Sequence, residues 1–237
     1  MRLVDCVLRF RVGLPDRVDT ARLVDDAHGL IFDRSLALDL TTDSTGWGFT
    51  WSEFDREILS IKIGLDLDGA DHSINFQAAV ACVVDVLQGI GDLHLSGISA
   101  YLPQATLRPA PALGGPLWLG DGNTPGTQAL TATAAVDRGT PAQLADLVRT
   151  RVQASRIIRF GPAEQVPLPD ELATLAATDP AEFSLPSTEP PVLSSVLQWP
   201  ITAPVANADA GAWALAKLID AIAHADPQPD VAVSVTW

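Results

Sequence analysis

Histidine, cysteine and basic residues are all scarce in this chain. Four histidines and two cysteines leave little from which to build a metal centre. No two of His28, His72, His94 and His224 have the spacing of a metal pair on a helix or strand, and the cysteines lie far apart. No metal ligand and no other cofactor is expected. Cys6 falls in the apolar phase of an alternating stretch, and Cys82 in the middle of a helical one. Two such residues make no disulfide framework, so free buried thiols are the expectation. A helix packed over the first strand would also let them meet. Lys and Arg number 15 against 29 Asp and Glu, a formal net charge of −14. The densest basic group, Arg149, Arg151, Arg156 and Arg159, is diluted by Asp146 and apolar neighbours. A field of this sign repels phosphate backbones, which argues against nucleic acid as a partner. It would steer a basic protein toward the chain.

Long apolar runs are missing too. The best candidate, residues 78–90, is broken by Asp85 and Gln88, so no membrane span is expected. Met1 leads directly into alternating residues, with no basic start, apolar stretch and cleavage site. No secretory signal is read there, and the cytoplasm is the expected location. Familiar catalytic motifs do not occur. Gly120, Gly122 and Gly126 are interrupted by Pro125 and followed by no Gly-Lys-Ser or Gly-Lys-Thr. Gly97 and Ser99 lie on a predicted strand, without the Gly-x-Ser-x-Gly turn. No catalytic residue is assigned.

What the chain does have is periodicity. With 237 residues, 47% of them apolar, it can bury a substantial core. Residues 4–12 alternate, with Val4, Cys6, Leu8, Phe10 and Val12 in one phase. A helix follows over residues 19–28, and Gly29 suits the left-handed position after it. Leu36, Leu38 and Leu40, a polar turn, and then Trp47, Phe49 and Trp51 read as a hairpin with an aromatic row. Leu59, Ile61, Ile63, Leu65 and Leu67 form the most regular strand. A helix over 74–88 and a strand over 93–102 close this half.

Residues 103–126 are dense in proline and glycine and read as a linker. The second half repeats the plan. A strand over 129–136 precedes a helix over 141–155. Thr140-Pro141-Ala142-Gln143 carries the signals of a capping box with proline in the first turn. A short helix is expected near 170–177 and a strand at 196–199, with Pro200 marking an edge. Asn207 caps a helix over 208–224, and a strand over 231–237 ends the chain. The closing helices align: residues 81–87 lie over residues 216–222 with Ala and Asp identical. Two α+β units fit this better than one long sheet. The expected architecture is two ferredoxin-like or related split βαβ units, related by internal duplication, spanning 1–102 and 127–237.

Candidate functional residues are few. Asp66, Asp68, Asp71 and His72 form the densest polar group, able in principle to hold a hard cation or act as an acid–base pair. The plainer reading is a solvated strand end before a capped helix. Trp47, Phe49 and Trp51 fit either the core or an interface anchor, with the core favoured. Trp213, Lys217, Asp220 and His224 share one face of the last helix, read as a solvated face with Lys217 over the tryptophan. Three functions remain open. The first is a non-catalytic, acidic protein-interaction module, for instance a neutraliser of a basic toxin or enzyme. The second is an enzyme or small-ligand binder with a pocket between the units near Asp71 and His72. The third is a structural subunit of a homo-oligomer.

Overall fold

A computed structural model describes residues 5–13, 29, 47–55, 58–66, 84, 86, 94–102, 128–152, 158–177, 192–225 and 229–237. In residues 5–13, 47–55 and 58–66 it describes the backbone alone. The fold is mixed α and β. Its strands are β1 (Asp5–Gly13), β2 (Trp47–Asp55), β3 (Ile58–Asp66), β4 (His94–Leu102), β5 (Gln128–Val136), β6 (Arg159–Phe160), β7 (Glu164–Gln165), β8 (Ser195–Ala203) and β9 (Val231–Thr236). Its helices are α1 (Pro141–Val152), α2 (Asp170–Ala177) and α3 (Ala208–Ala223). Gly29, between β1 and β2, is helical, as are Val84 and Val86, between β3 and β4.

The strands join in one nine-stranded sheet, ordered β2-β3-β1-β4-β9-β5-β8-β6, with β7 also on β8. Every pairing among the described residues is antiparallel. The two halves of the chain share this sheet. Strand β4 of the first half pairs with β9 of the second over Gly97–Leu102, so the sheet is continuous. The physical reason is that each half would otherwise present an open edge with unpaired backbone groups. We call the β4–β9 ladder the seam.

Among the described residues, the sheet has two covered regions, one on each face. On one face α1 and α3 pack over Ile98, Ala100 and Leu102 of β4, Val231, Val233 and Val235 of β9, and the apolar phases of β5 and β8. Val84 and Val86 join this core from the first half. Helix α3 lies against α1 as well as against β4, β5 and β9. That position explains why it is buried on nearly every side, as a helix apolar all round must be. On the other face α2 lies over Tyr101, Ala135, Val196 and Ala232, forming a smaller cluster.

Local signals explain several elements. Thr140 and Gln143 form the capping box, with the Thr140 N–H donating to Gln143 Oε1 at 2.9 Å and the Gln143 N–H to Thr140 Oγ1 at 3.3 Å. Asn207 Oδ1 accepts from the Ala210 N–H at 3.0 Å. Gly139, at φ 89°, makes the left-handed turn from β5 into α1. Replacing Thr140 or Asn207 with alanine should lower stability by about 1 kcal/mol each. Denaturant unfolding checks this, and an unchanged midpoint in both variants would refute the capping assignment.

Three sequence readings need correction. Gly29 is itself helical and does not take the left-handed conformation. Pro200 does not mark an edge: β8 runs through it, with β5 on one side and β6 and β7 on the other. A strand residue's N–H and C=O point to the same side. The Pro200 carbonyl accepts from the Gly161 N–H at 2.7 Å, so the missing donor falls on the β6–β7 side and the β5 ladder loses nothing. Trp213 is only 1% exposed and does not belong to a solvated face. Lys217 does cover its ring, with Nζ 5.5 Å from the centroid. The predicted helices at 19–28 and 74–88, apart from Val84 and Val86, lie outside the described residues. So do the strand at 36–40 and the linker at 103–126.

Candidate functional site

The face under α1 and α3 uses one phase of each strand. The other phase, on the opposite face, carries a row of polar residues that crosses the seam. Ser99 of β4 pairs with Ser234 of β9. Ser234 pairs with Thr133 of β5, and Thr133 with Gln198 of β8. Directly paired residues in an antiparallel sheet share a face, so these four form a straight line. In backbone register the line continues to Arg9 of β1 at one end and Glu164 of β7 at the other.

The middle of the row is well shielded: Ser99 is 1% exposed, Thr133 4% and Ser234 8%. Buried hydroxyls need partners. Ser99 Oγ donates to a carboxylate oxygen of Glu171, in the first turn of α2. Gln198 Nε2 donates to Thr133 Oγ1 at 3.4 Å. Beside the row, Tyr101 is buried under α2. Burial pushes its phenol well above the ordinary tyrosine range, and the carboxylates of Asp230 and Asp137 add to that shift.

Asp137 and Asp230 tie the strand ends together. The Asp230 N–H donates to Asp137 Oδ1 at 2.8 Å, and the Asp137 N–H to the Asp230 carbonyl at 3.2 Å. Arg138 Nε lies 3.2 Å from Asp137 Oδ2. Ser195 Oγ donates to the Gly139 carbonyl at 2.7 Å. These contacts hold the β5–α1 turn. The chemistry they offer is hydrogen bonding. The described imidazole, His224, holds its Nδ1 2.8 Å from the Asp220 carbonyl at the end of its own helix.

The residues singled out from sequence are only partly placed. Asp66 ends β3, opposite Asp5. Asp68, Asp71 and His72 lie outside the described residues. Trp47 and Phe49 stand opposite Leu65 and Ile63. The register then shifts by one residue, and Trp51 stands opposite Lys62. The aromatic row therefore does not keep a single phase against β3. No cluster of three or more His, Cys, Asp or Glu able to hold a metal occurs among the described residues. Among them, no helix is long and apolar enough to cross a membrane.

Sequence reasoning weighs Ser99 only as a nucleophile lacking its turn motif, and does not single out Thr133, Ser234, Gln198, Tyr101 or Glu171. A signal was present, since Ser99, Thr133 and Ser234 each sit between apolar residues in a strand. Register alone brings them into line. The chain matches no protein-family model, no curated protein and no solved structure.

Proposed function

We propose that this chain is a non-catalytic, acidic protein-interaction module of the cytoplasm that neutralises a basic toxin or enzyme. The observation that carries this reading is the net charge of −14. Such a field accelerates encounter with a basic surface and disfavours acidic ones. The hydroxyls of Ser99, Thr133 and Ser195 fit a binding scaffold, because they hold neighbouring strands, a turn and α2 in place.

We infer further that the scaffold arose by duplication of a ferredoxin-like unit, with units at 1–102 and 127–237 joined by 103–126. Strand order supports this. Read from its outer edge to the seam, the first half runs β2-β3-β1-β4, and the second runs β6-β8-β5-β9. Helical residues separate the first strand from the second, and the third from the fourth, in each half. That is the β-α-β-β-α-β plan.

Register supports it in more detail. Trp47 and Trp51 stand opposite Leu65 and Lys62, while Phe160 and Glu164 stand opposite Ile201 and Gln198. Both halves thus carry the same one-residue slip at the same place, as a bulge in β2 and as the break between β6 and β7. The step along the chain from Ala81 to Ala216, which aligns the closing helices, equals the step from Ser99 to Ser234. Those serines pair with each other, so a two-fold relation between the halves would pass through them.

The functional reading is tested by affinity capture from the native host, followed by kinetics with the captured partner. Raising salt from about 0.05 M to 0.5 M should slow association at least about tenfold while dissociation changes little. An association rate independent of salt would remove the acidic field from the explanation. Turnover of a small molecule that is lost on changing Asp71 or His72, in a variant that still folds, would replace this reading with an enzymatic one.

A further inference from the structure

We propose that α2 is a strap that undocks from the seam as one unit while the sheet beneath it stays folded. The two halves differ in one connection. Strands β2 and β3 are separated only by Arg56 and Glu57, whereas residues 166–194 lie between β7 and β8. The β2–β3 pairing forms with no room for such a helix in its connection. The corresponding β7–β8 pairing therefore does not depend on having one.

Helix α2 rests on β4 and β9 through Leu172, Leu175 and Ala176, in a cluster separate from the main core. Its cover of the sheet includes Tyr101, Ala135, Val196 and Ala232. The main core, with α1 and α3, lies on the other face and keeps its contacts when α2 leaves. A small satellite cluster of this kind belongs to the low-stability end of a structure, where local opening precedes global unfolding. Between β7 and α2 the chain passes Pro167 and Pro169, which have no N–H to tie the connection down. Undocking releases the Ser99 hydroxyl from Glu171 and uncovers Tyr101 at the centre of the sheet.

Native-state hydrogen exchange on the full chain tests this directly. The α2 amides should exchange as a group, at least about 100-fold faster than those in the middle of α3. Equal rates in α2, α3 and β9 would mean that α2 opens only when everything does, and would overturn the proposal. A second measurement uses Tyr101, the single tyrosine of the chain. Its charged surroundings are Asp137, Asp230, the Arg138 paired with Asp137, and Glu171 on the neighbouring Ser99. In Leu175→Asp, phenolate absorbance should show Tyr101 ionising closer to the ordinary value of 10.0 than in the unaltered chain, though still above it because Asp230 and Asp137 stay beside it, with α3 protection intact. Tyrosine ionisation that stays as high as in the unaltered chain, or that falls only together with α3 protection, would overturn it.

Discussion

Replacing Val233 with aspartate will unfold both halves of the chain together. Val233 is fully buried in β9, opposite Ala100 of β4 and Ala134 of β5. It belongs to the core shared by α3, α1 and the first-half residues Val84, Val86 and Ile98. An ionised carboxylate there has no described partner, and burying it costs several kcal/mol, about as much as a typical domain can lose. Hydrogen exchange should show protection lost in β1 and β4 as well as in β5 and β8. Retained protection in β1 and β4 would mean that the halves fold independently, despite the shared ladder. Thr202→Asp is the control: Thr202 is exposed on β8, and its change should stay within about 0.5 kcal/mol.

Trp213 should show a large contrast between two substitutions. Its side chain is among the largest that are fully buried. Truncation to alanine removes the ring from a packed core and should cost about 3–5 kcal/mol. Yet among the described residues the indole Nε1 is buried without a hydrogen-bond partner. An unpaired buried donor is itself destabilising, by about 1–3 kcal/mol. Trp213→Phe deletes that donor and keeps most of the apolar volume. The two effects oppose each other, and the net change should be within about 1 kcal/mol. Equilibrium denaturation of both variants decides it. If phenylalanine costs as much as alanine, the indole N–H makes a valuable bond in solution.

Local signals read well from sequence because they depend on neighbours a few residues apart. The Thr140–Gln143 box, the Asn207 cap and the short helix at 170–177 all stand where the residues place them. The α3 stripe of Leu215, Leu218, Ile219 and Ile222 is buried as its spacing implies. Trp213 was misread because it sits beside Lys217, Asp220 and His224, and a polar stripe does not reveal a second packed helix. Pro200 was misread because a missing donor looks the same in sequence whichever side of the strand it faces. The seam pairs residues 97–102 with residues 231–236, far apart along the chain, and such pairings leave no local trace. The polar row depends on it. Each of Ser99, Thr133 and Ser234 was visible as an alternating residue, and only the ladder makes them neighbours.

The Ser99–Ser234 pair has a consequence under the proposed duplication. In an assembly of two identical chains, a residue on the symmetry axis meets its own copy, and every substitution there is made twice. Only side chains that tolerate themselves survive at such a point. Joining the copies into one chain ends that constraint, because each serine becomes a separate position. Ser99 can then hold the carboxylate of Glu171 while Ser234 does not have to accept a second one. Covalent fusion thus gives evolution a centre that can be made one-sided, and one helix rather than two can settle over it.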